Sequence, residues 1–295
     1  MIEGKTKIIV PGPETGTVLL ESKDSLTGGD AARVAAIPSI GILKTTQTVN
    51  VFELLTEAGI PTAFIRQADE RTMLCWSCDM LPVEFVLRRR PWGSYLKRHP
   101  DHSLETHFED LVVERFHKRA MVLPPASEQP RVMDEGDARA EYLREGIWAE
   151  GVYTDPLIKV TGQTWTLLPP KQPFNAEGPS LDIPAPITEE QDTFIVETLL
   201  KPAFLALEKA WAGLTTQDGP IALIDCKFEV GVRTSDGALI LSDVIDNDSW
   251  RIWPGGDPGK QLDKQAFRDG GTPEVIVELY RQVTDLTNRF HGMAR

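Results

Sequence analysis

Asp225, Lys227 and Glu229 occupy alternate positions within the apolar run 221–231. On a strand, a side-chain period of two sends these three charges to one face and Cys226, Phe228 and Val230 to the other. Asp236-Gly237 and a second apolar stretch, 238–245, follow, which is the pattern of a β-hairpin. With the turn near Asp236, opposed residues have numbers that sum to about 472, and this sets Asp243 roughly across from Glu229. Two carboxylates ~5 Å apart across a strand pair repel, and a hard divalent cation relieves the repulsion. The pattern predicts a Mg2+ site at Glu229 and Asp243, its shell completed by water and nucleotide phosphates. A solvated charged face, with Lys227 as a salt-bridge partner, is the open alternative.

Near the N-terminus, Glu3-Gly4-Lys5-Thr6-Lys7 places a glycine before two lysines at strand spacing, so that backbone and ammonium groups can approach a polyphosphate together. It is not a Walker A loop, and an exposed strand edge is the plain alternative. Five cations fall within eleven residues at Arg88-Arg-Arg-Pro-Trp-Gly-Ser94-Tyr-Leu-Lys97-Arg98. Such a cluster calls for an anionic counterpart, and arginine forks beside a serine hydroxyl suit phosphate or carboxylate; a basic rim or partner patch is the alternative. Asp246-Asn-Asp248-Ser-Trp-Arg251-Ile-Trp-Pro254, continued by Asp263-Lys264-Gln265 and Arg268, concentrates polar residues directly after a strand, where loops commonly hold functional groups. Cys75-Trp-Ser-Cys78 has redox spacing but precedes a strand and lacks a second Cys or His pair, so no redox or zinc role is assigned. His99, His102, His107, His117 and His291 show no ligand spacing and read as surface residues.

The elements that must carry these groups follow from periodicity. Residues 1–80 read as a strand-rich lobe with strands at 7–10, 17–21, 61–65 and 73–75, and one helix over 48–58 capped by Gly59. A strand at 83–87 precedes the basic segment, and 102–187 is polar, proline-rich and without a usable period. Thr188-Glu-Glu-Gln191 is a capping box opening a helix with Ile195, Leu199, Phe204, Leu207 and Trp211 on its apolar side and a kink expected at Pro202. A last helix starts at Thr272-Pro273 and runs through Ile276, Val283, Leu286 and Phe290. Strands and helices that fail to alternate argue for α+β over a Rossmann-type sheet.

The 295 residues are 41% AVILMFWYC and 25% charged, which suits a globular protein and excludes disorder or a collagen-like chain. Lys plus Arg (31) against Asp plus Glu (44) gives −13. That charge repels phosphate backbones and anionic lipid, so neither nucleic acid nor membrane is an expected partner. No uncharged apolar run nears the ~20 residues of a spanning helix, MIEGKTKIIV lacks a signal-peptide core, and three cysteines are sparse; a cytoplasmic protein is expected.

In this order, Glu3-Gly-Lys-Thr-Lys7, Thr27-Gly-Gly-Asp30, Glu84-Phe-Val-Leu-Arg88 with Gly93-Ser94 and Lys97-Arg98, Asp155-Pro156, Asp225 through Gly231, Asp243 through Arg251 and Asp263-Lys-Gln265 resemble the phosphoribosylaminoimidazole-succinocarboxamide synthase (SAICAR synthetase) family. The stretch Asp243-Val-Ile-Asp-Asn-Asp-Ser-Trp-Arg251 is similar to the form in animal bifunctional enzymes. The resemblance implies an α+β, bilobed fold with an ATP-grasp/kinase-like small β lobe, a larger α/β lobe and ATP in the inter-lobe cleft. The expected division is 1–80 (nucleotide-binding β lobe with one helix), 81–270 (substrate and metal lobe) and 271–295 (a C-terminal helix packed on the larger lobe).

It further implies an ATP-dependent ligase of purine biosynthesis that joins L-aspartate to the carboxylate of carboxyaminoimidazole ribonucleotide (CAIR) through an acyl phosphate. By the resemblance, Gly4, Lys5 and Lys7 hold ATP phosphates, Met80 and Leu81 the adenine, and Glu229 and Asp243 the Mg2+. Arg88, Ser94 and Arg251 grip CAIR, Asp225 and Lys227 flank the reacting carboxylate, and Asp30, Asp155 and Lys264 complete the substrate side. The partners are small molecules, with homo-oligomerisation left open. Where the family often has Gly-Lys and then Asn-Lys before the first helix, this chain reads Ser39-Ile40 and Thr45-Thr46, two cations fewer, and 157–186 reads as inserted. Two rivals follow: the same ligase chemistry on a related carboxylate, and a silent nucleotide-binding homologue.

Overall fold

The computed structural model describes residues 1–28, 33–175, 177–262 and 270–293. The chain divides into two compact units, Met1–Met80 with Glu197–Arg295, and Leu81–Val196. Among the described residues, no helix is long and apolar enough to cross a membrane.

The first unit opens with an antiparallel five-stranded sheet ordered Ile2–Glu3, Lys7–Pro11, Thr17–Ser22, Thr72–Trp76 and Phe64–Gln67. Its inward residues Leu20, Met73 and Cys75 pack with Val49, Ala63 and Ile240. The first helix spans Ile40–Glu57, one face of it buried, and therefore begins eight residues before the apolar pattern does. Its opening turns bury polar side chains, Lys44, Thr45 and Gln47, each with a partner. Thr45 donates to Ser22 Oγ at 2.8 Å, and Gln47 donates to the Tyr280 carbonyl at 3.0 Å. Buried but hydrogen-bonded groups are invisible to a hydrophobic period. The helix ends as expected: Gly59, at φ 77°, donates to Thr56 O at 3.0 Å, and Ile60 donates to Leu55 O at 2.9 Å, a Schellman closure.

The long strand Gly219–Arg233 pairs antiparallel with both Leu239–Ser242 and Trp250–Pro254. The hairpin is the one read from the sequence, with Gly237 at φ 75°. Its return strand is short, because Asp243 adopts φ 64° and leaves the ladder. Lys201–Ala212 packs on the long strand, and Trp211 meets Trp250 and Phe290 edge-on at 5.3 and 4.8 Å between ring centroids. Upstream of it the Thr188 capping box is present in full. A π-helical segment, Ile195–Leu200, then precedes Lys201–Ala212, which accommodates the missing N–H of Pro202. The last helix runs Pro273–Thr287 with Thr272 as N-cap and proline at its start. Ile276 and Tyr280 on it pack with Leu26, Ile37 and Ile40.

In the second unit, Val83 through Arg88 pairs with Val112–His117. That strand meets Leu157–Thr161, which is followed by Thr164–Leu168 and Leu181–Pro184, all antiparallel. A second small sheet joins Arg131–Met133, Ala120–Val122 and Val152–Tyr153. This is the region where the sequence offers no period. Its strands are mostly two to six residues long, too short for alternation to stand out.

Candidate active site

The hairpin strand places its charges as the period of two requires, but not on a solvated face. Asp225 and Glu229 are 2% and 3% exposed, and a buried carboxylate needs a partner to offset its desolvation. Arg251 Nη1 donates to both oxygens of Asp225, at 2.8 and 2.7 Å, from the directly opposed position on the neighbouring strand. Lys227 Nζ donates to Glu229 Oε1 at 2.6 Å.

Register corrects one expectation. A four-residue turn, closed by Arg233 N–H to Ala238 O at 2.8 Å, sets Glu229 opposite Ser242. Asp243 is one residue further on and is turned by its left-handed backbone. There it accepts from Lys7 Nζ. Lys7 also lies in the field of Glu229: burial lowers the ammonium's pKa, and the Glu229 carboxylate opposes that shift. Lys7 thus links the two acids that the hairpin brings side by side. Gly4 and Lys5 lie in the tight turn between Ile2–Glu3 and Lys7–Pro11, exposed, so Lys5 and Lys7 do not share one strand, and only Lys7 enters the cluster.

A residue missed in the sequence completes this centre. Lys44 Nζ donates to Asp248 Oδ2 at 2.7 Å and stands 3.8 Å from Asp246 Oδ2. Burial alone would depress its pKa, yet Asp248 and Asp246 together overcome burial, and the pKa is raised. The Tyr280 hydroxyl donates to the other Asp248 oxygen. The signal was present: Lys44 is the only basic residue of its helix and lies on the stripe of Thr48, Phe52 and Leu55. It is also a cation close to Thr45-Thr46, where the family comparison had counted one lost.

The other predicted residues are placed separately. In the second unit Arg88 and Arg98 are buried, and both bind Glu114, Arg88 Nε at 2.6 Å from Oε2. The basic segment thus has an internal anionic counterpart. Ser94 begins the short helix Ser94–Arg98, and Asp155, at φ 46°, precedes Leu157–Thr161. A cavity of about 420 Å3 in this unit is lined by Arg98, His99, Leu157, Leu168 and Phe174 among others. Met80 is 42% exposed, whereas the Leu81 side chain is buried. Asp30 and Lys264 lie outside the described residues. The surface reading of the histidines fails at His117, which is buried in the strand Val112–His117. Cys75 is buried and its thiol is pushed up to about 12 by burial, the environment of an inert core cysteine.

An α+β chain that gathers lysines and carboxylates around one β-hairpin has the equipment of enzymes that handle polyphosphates. A family model described as SAICAR synthetase matches residues 1–143 and 196–283. The chain belongs to the SAICAR synthetase family, ligases of purine biosynthesis. It is 34% identical over 299 residues to phosphoribosylaminoimidazole-succinocarboxamide synthase of Chloroflexus aggregans, covering 99% of this chain and 97% of that one. It is 34% identical over 282 residues to the multifunctional protein ADE2 of Gallus gallus, covering 95% of this chain and 55% of the longer protein. The phosphoribosylaminoimidazole-succinocarboxamide synthase of Ehrlichia chaffeensis shares the fold with a TM-score of 0.67 at 22% identity, covering 98% of each chain. A SAICAR synthetase solved in complex with ADP shares it at 0.66 and 24%, covering 97% of this chain and 96% of that one.

Proposed function

We propose that this chain is the ATP-dependent ligase that joins L-aspartate to CAIR to give SAICAR. The observation that carries the reading is the pairing of Lys7 with Asp243 beside Lys227 with Glu229, in a member of this family. A carboxylate is a poor electrophile. The γ-phosphoryl of ATP therefore passes first to the CAIR carboxylate, the aspartate amine attacks the resulting acyl phosphate, and phosphate leaves. Lys7 and Lys227 neutralise charge on the transferring group, with Gly4 and Lys5 toward the other phosphates. Asp225 anchors Arg251 through one guanidinium nitrogen, Nη1, which donates to both carboxylate oxygens, and in this reading the rest of the guanidinium is turned toward substrate. Arg88 and Ser94 are assigned to the CAIR ribose phosphate, Asp155 to the substrate, and Met80 and the Leu81 backbone to the adenine.

Glu229 and Asp243 suit a divalent cation by their chemistry: both are hard oxygen donors, and both already hold a cation, the ammonium groups of Lys227 and Lys7. In this reading Mg2+ would be held by these two carboxylates together with nucleotide phosphates. When bound, Mg2+ supplies charge neutralisation to the triphosphate.

Purified protein with ATP, Mg2+, aspartate and CAIR tests the assignment. Formation of SAICAR with stoichiometric ADP is expected. ADP release only with a different carboxylate, or nucleotide binding without turnover, would replace this reading with one of its rivals. The retained acids and lysines already disfavour a silent homologue, since buried charges without a task lower stability.

A further inference from the structure

The segment from Asp243 to Arg251 begins and ends on residues of the proposed site, and it is held from two helices. From the first helix, Gln47 Oε1 accepts the Asn247 N–H at 2.9 Å, and Lys44 Nζ bonds Asp248. From the last helix, Tyr280 bonds the same carboxylate. Inside the turn, Asp246 Oδ1 accepts the Asp248 N–H at 2.8 Å, and Asn247 accepts the Trp250 indole N–H at 2.9 Å. Lys44 is 4% exposed and Asp246 is fully buried. Such a cluster is a poor source of stability beside apolar residues of the same volume, and its best use is to select one geometry among several. The Lys44 ammonium lies against two neighbouring aspartates inside one short turn and offsets their repulsion at close range.

We infer that Lys44 is a positioning residue of the ligase: its ammonium, gripped by Asp246 and Asp248, locks the turn that delivers Asp243 and Arg251 to the reacting groups. The inference rests on the proposed function. It assigns to this chain's own helix position a cation that the family resemblance had counted as lost at Thr45-Thr46. Lys44 touches no substrate in this scheme, so its removal acts on the placement of other groups and not on the affinity of the nucleotide base.

The test uses K44M, K44R and Y280F of the full chain, each with kcat, the KM for every substrate, and amide hydrogen exchange. K44M lowers kcat about a hundredfold, the penalty of a misplacement near 1 Å, and leaves the KM for ATP within about threefold. K44R recovers kcat to within about tenfold of the parent, since a cation again bridges the two acids. Y280F, which keeps the ammonium and loses one bond to Asp248, falls between, and it carries the test should K44M not fold. Amides of 246–249 exchange faster in K44M and Y280F, while those of the strand Gly219–Arg233 keep their protection. Parental kcat in folded K44M, or K44M and K44R equally impaired, overturns the inference. A parent that makes no SAICAR overturns the proposed function instead. Hydrogen exchange then decides the role of Lys44, with unchanged exchange at 246–249 counting against it.

Discussion

Lys7 Nζ donates to the carboxylate of Asp243 across 236 residues of sequence. The ammonium stands at the first residue of the strand Lys7–Pro11, and the carboxylate on the first residue past Leu239–Ser242. An aspartate at φ 64° is tolerated where most residues would be strained, because its short polar side chain suits the left-handed region. The pair gives the N-terminal lysine a fixed place in the field of Glu229 and Lys227, and this is the arrangement on which the proposed mechanism rests.

Removing either acid should therefore stop chemistry and not folding. Glu229→Gln and Asp243→Asn are expected to lower kcat by about a hundredfold or more in a chain that still folds, with some loss of melting temperature as well, since each substitution takes a carboxylate from a part-buried lysine. Steady-state turnover together with a thermal melt checks this. Normal turnover in either variant removes the metal assignment.

Arg88→Ala should raise the KM for CAIR by about tenfold and leave that for ATP unchanged, as expected for a lost charge-assisted contact to one substrate. A raised nucleotide KM with normal CAIR affinity would show that the two ligands have been exchanged in the assignment.

Glu114 serves two buried guanidiniums, those of Arg88 and Arg98. Glu114→Gln removes the carboxylate that both guanidiniums share and should destabilise by about 3 kcal/mol, whereas Arg88→Ala leaves the Arg98 pair intact and costs less. Urea titration ranks the two, and an equal or reversed order contradicts the shared-carboxylate account.

His117 is buried, and burial pushes its imidazole down to about 4. Its Nδ1 accepts the Arg119 N–H at 3.2 Å, which requires the neutral ring. Between the unfolded value near 6.5 and the native value, the unfolded chain binds a proton that the native state does not. Stability is thus full above the unfolded value and lost as pH falls, by about 2 kcal/mol between pH 7 and pH 5. Urea midpoints at the two pH values should differ less in His117→Gln; the same pH dependence in both proteins would falsify the assignment.

Gly231 allows a close approach on the hairpin strand: a Cβ there would stand 2.7 Å from Cys78 Cβ and 3.1 Å from both Met80 Sδ and Ser242 Oγ. Gly231→Ala should destabilise by about 1–3 kcal/mol through overpacking. A melting temperature equal to the parent's would mean that the strand shifts freely.

What the sequence determined is local. The capping box at Thr188, the glycine closure at Gly59, the hairpin turn at Gly237 and the alternation of Asp225, Lys227 and Glu229 each depend on residues a few positions apart, and backbone geometry makes them legible. The ordered motifs likewise carry the family. Tertiary structure alone decided which charges meet. A single residue of register moved Ser242, and not Asp243, opposite Glu229, because the turn length sets pairing and a hydrophobic pattern does not. The early start of the first helix, the capture of Lys44 by Asp248 and the sharing of Glu114 by two arginines stayed hidden for one reason. Each buries polar groups whose partners lie from 16 to more than 200 residues away in the chain, and a pattern of apolar residues cannot register such hydrogen bonds.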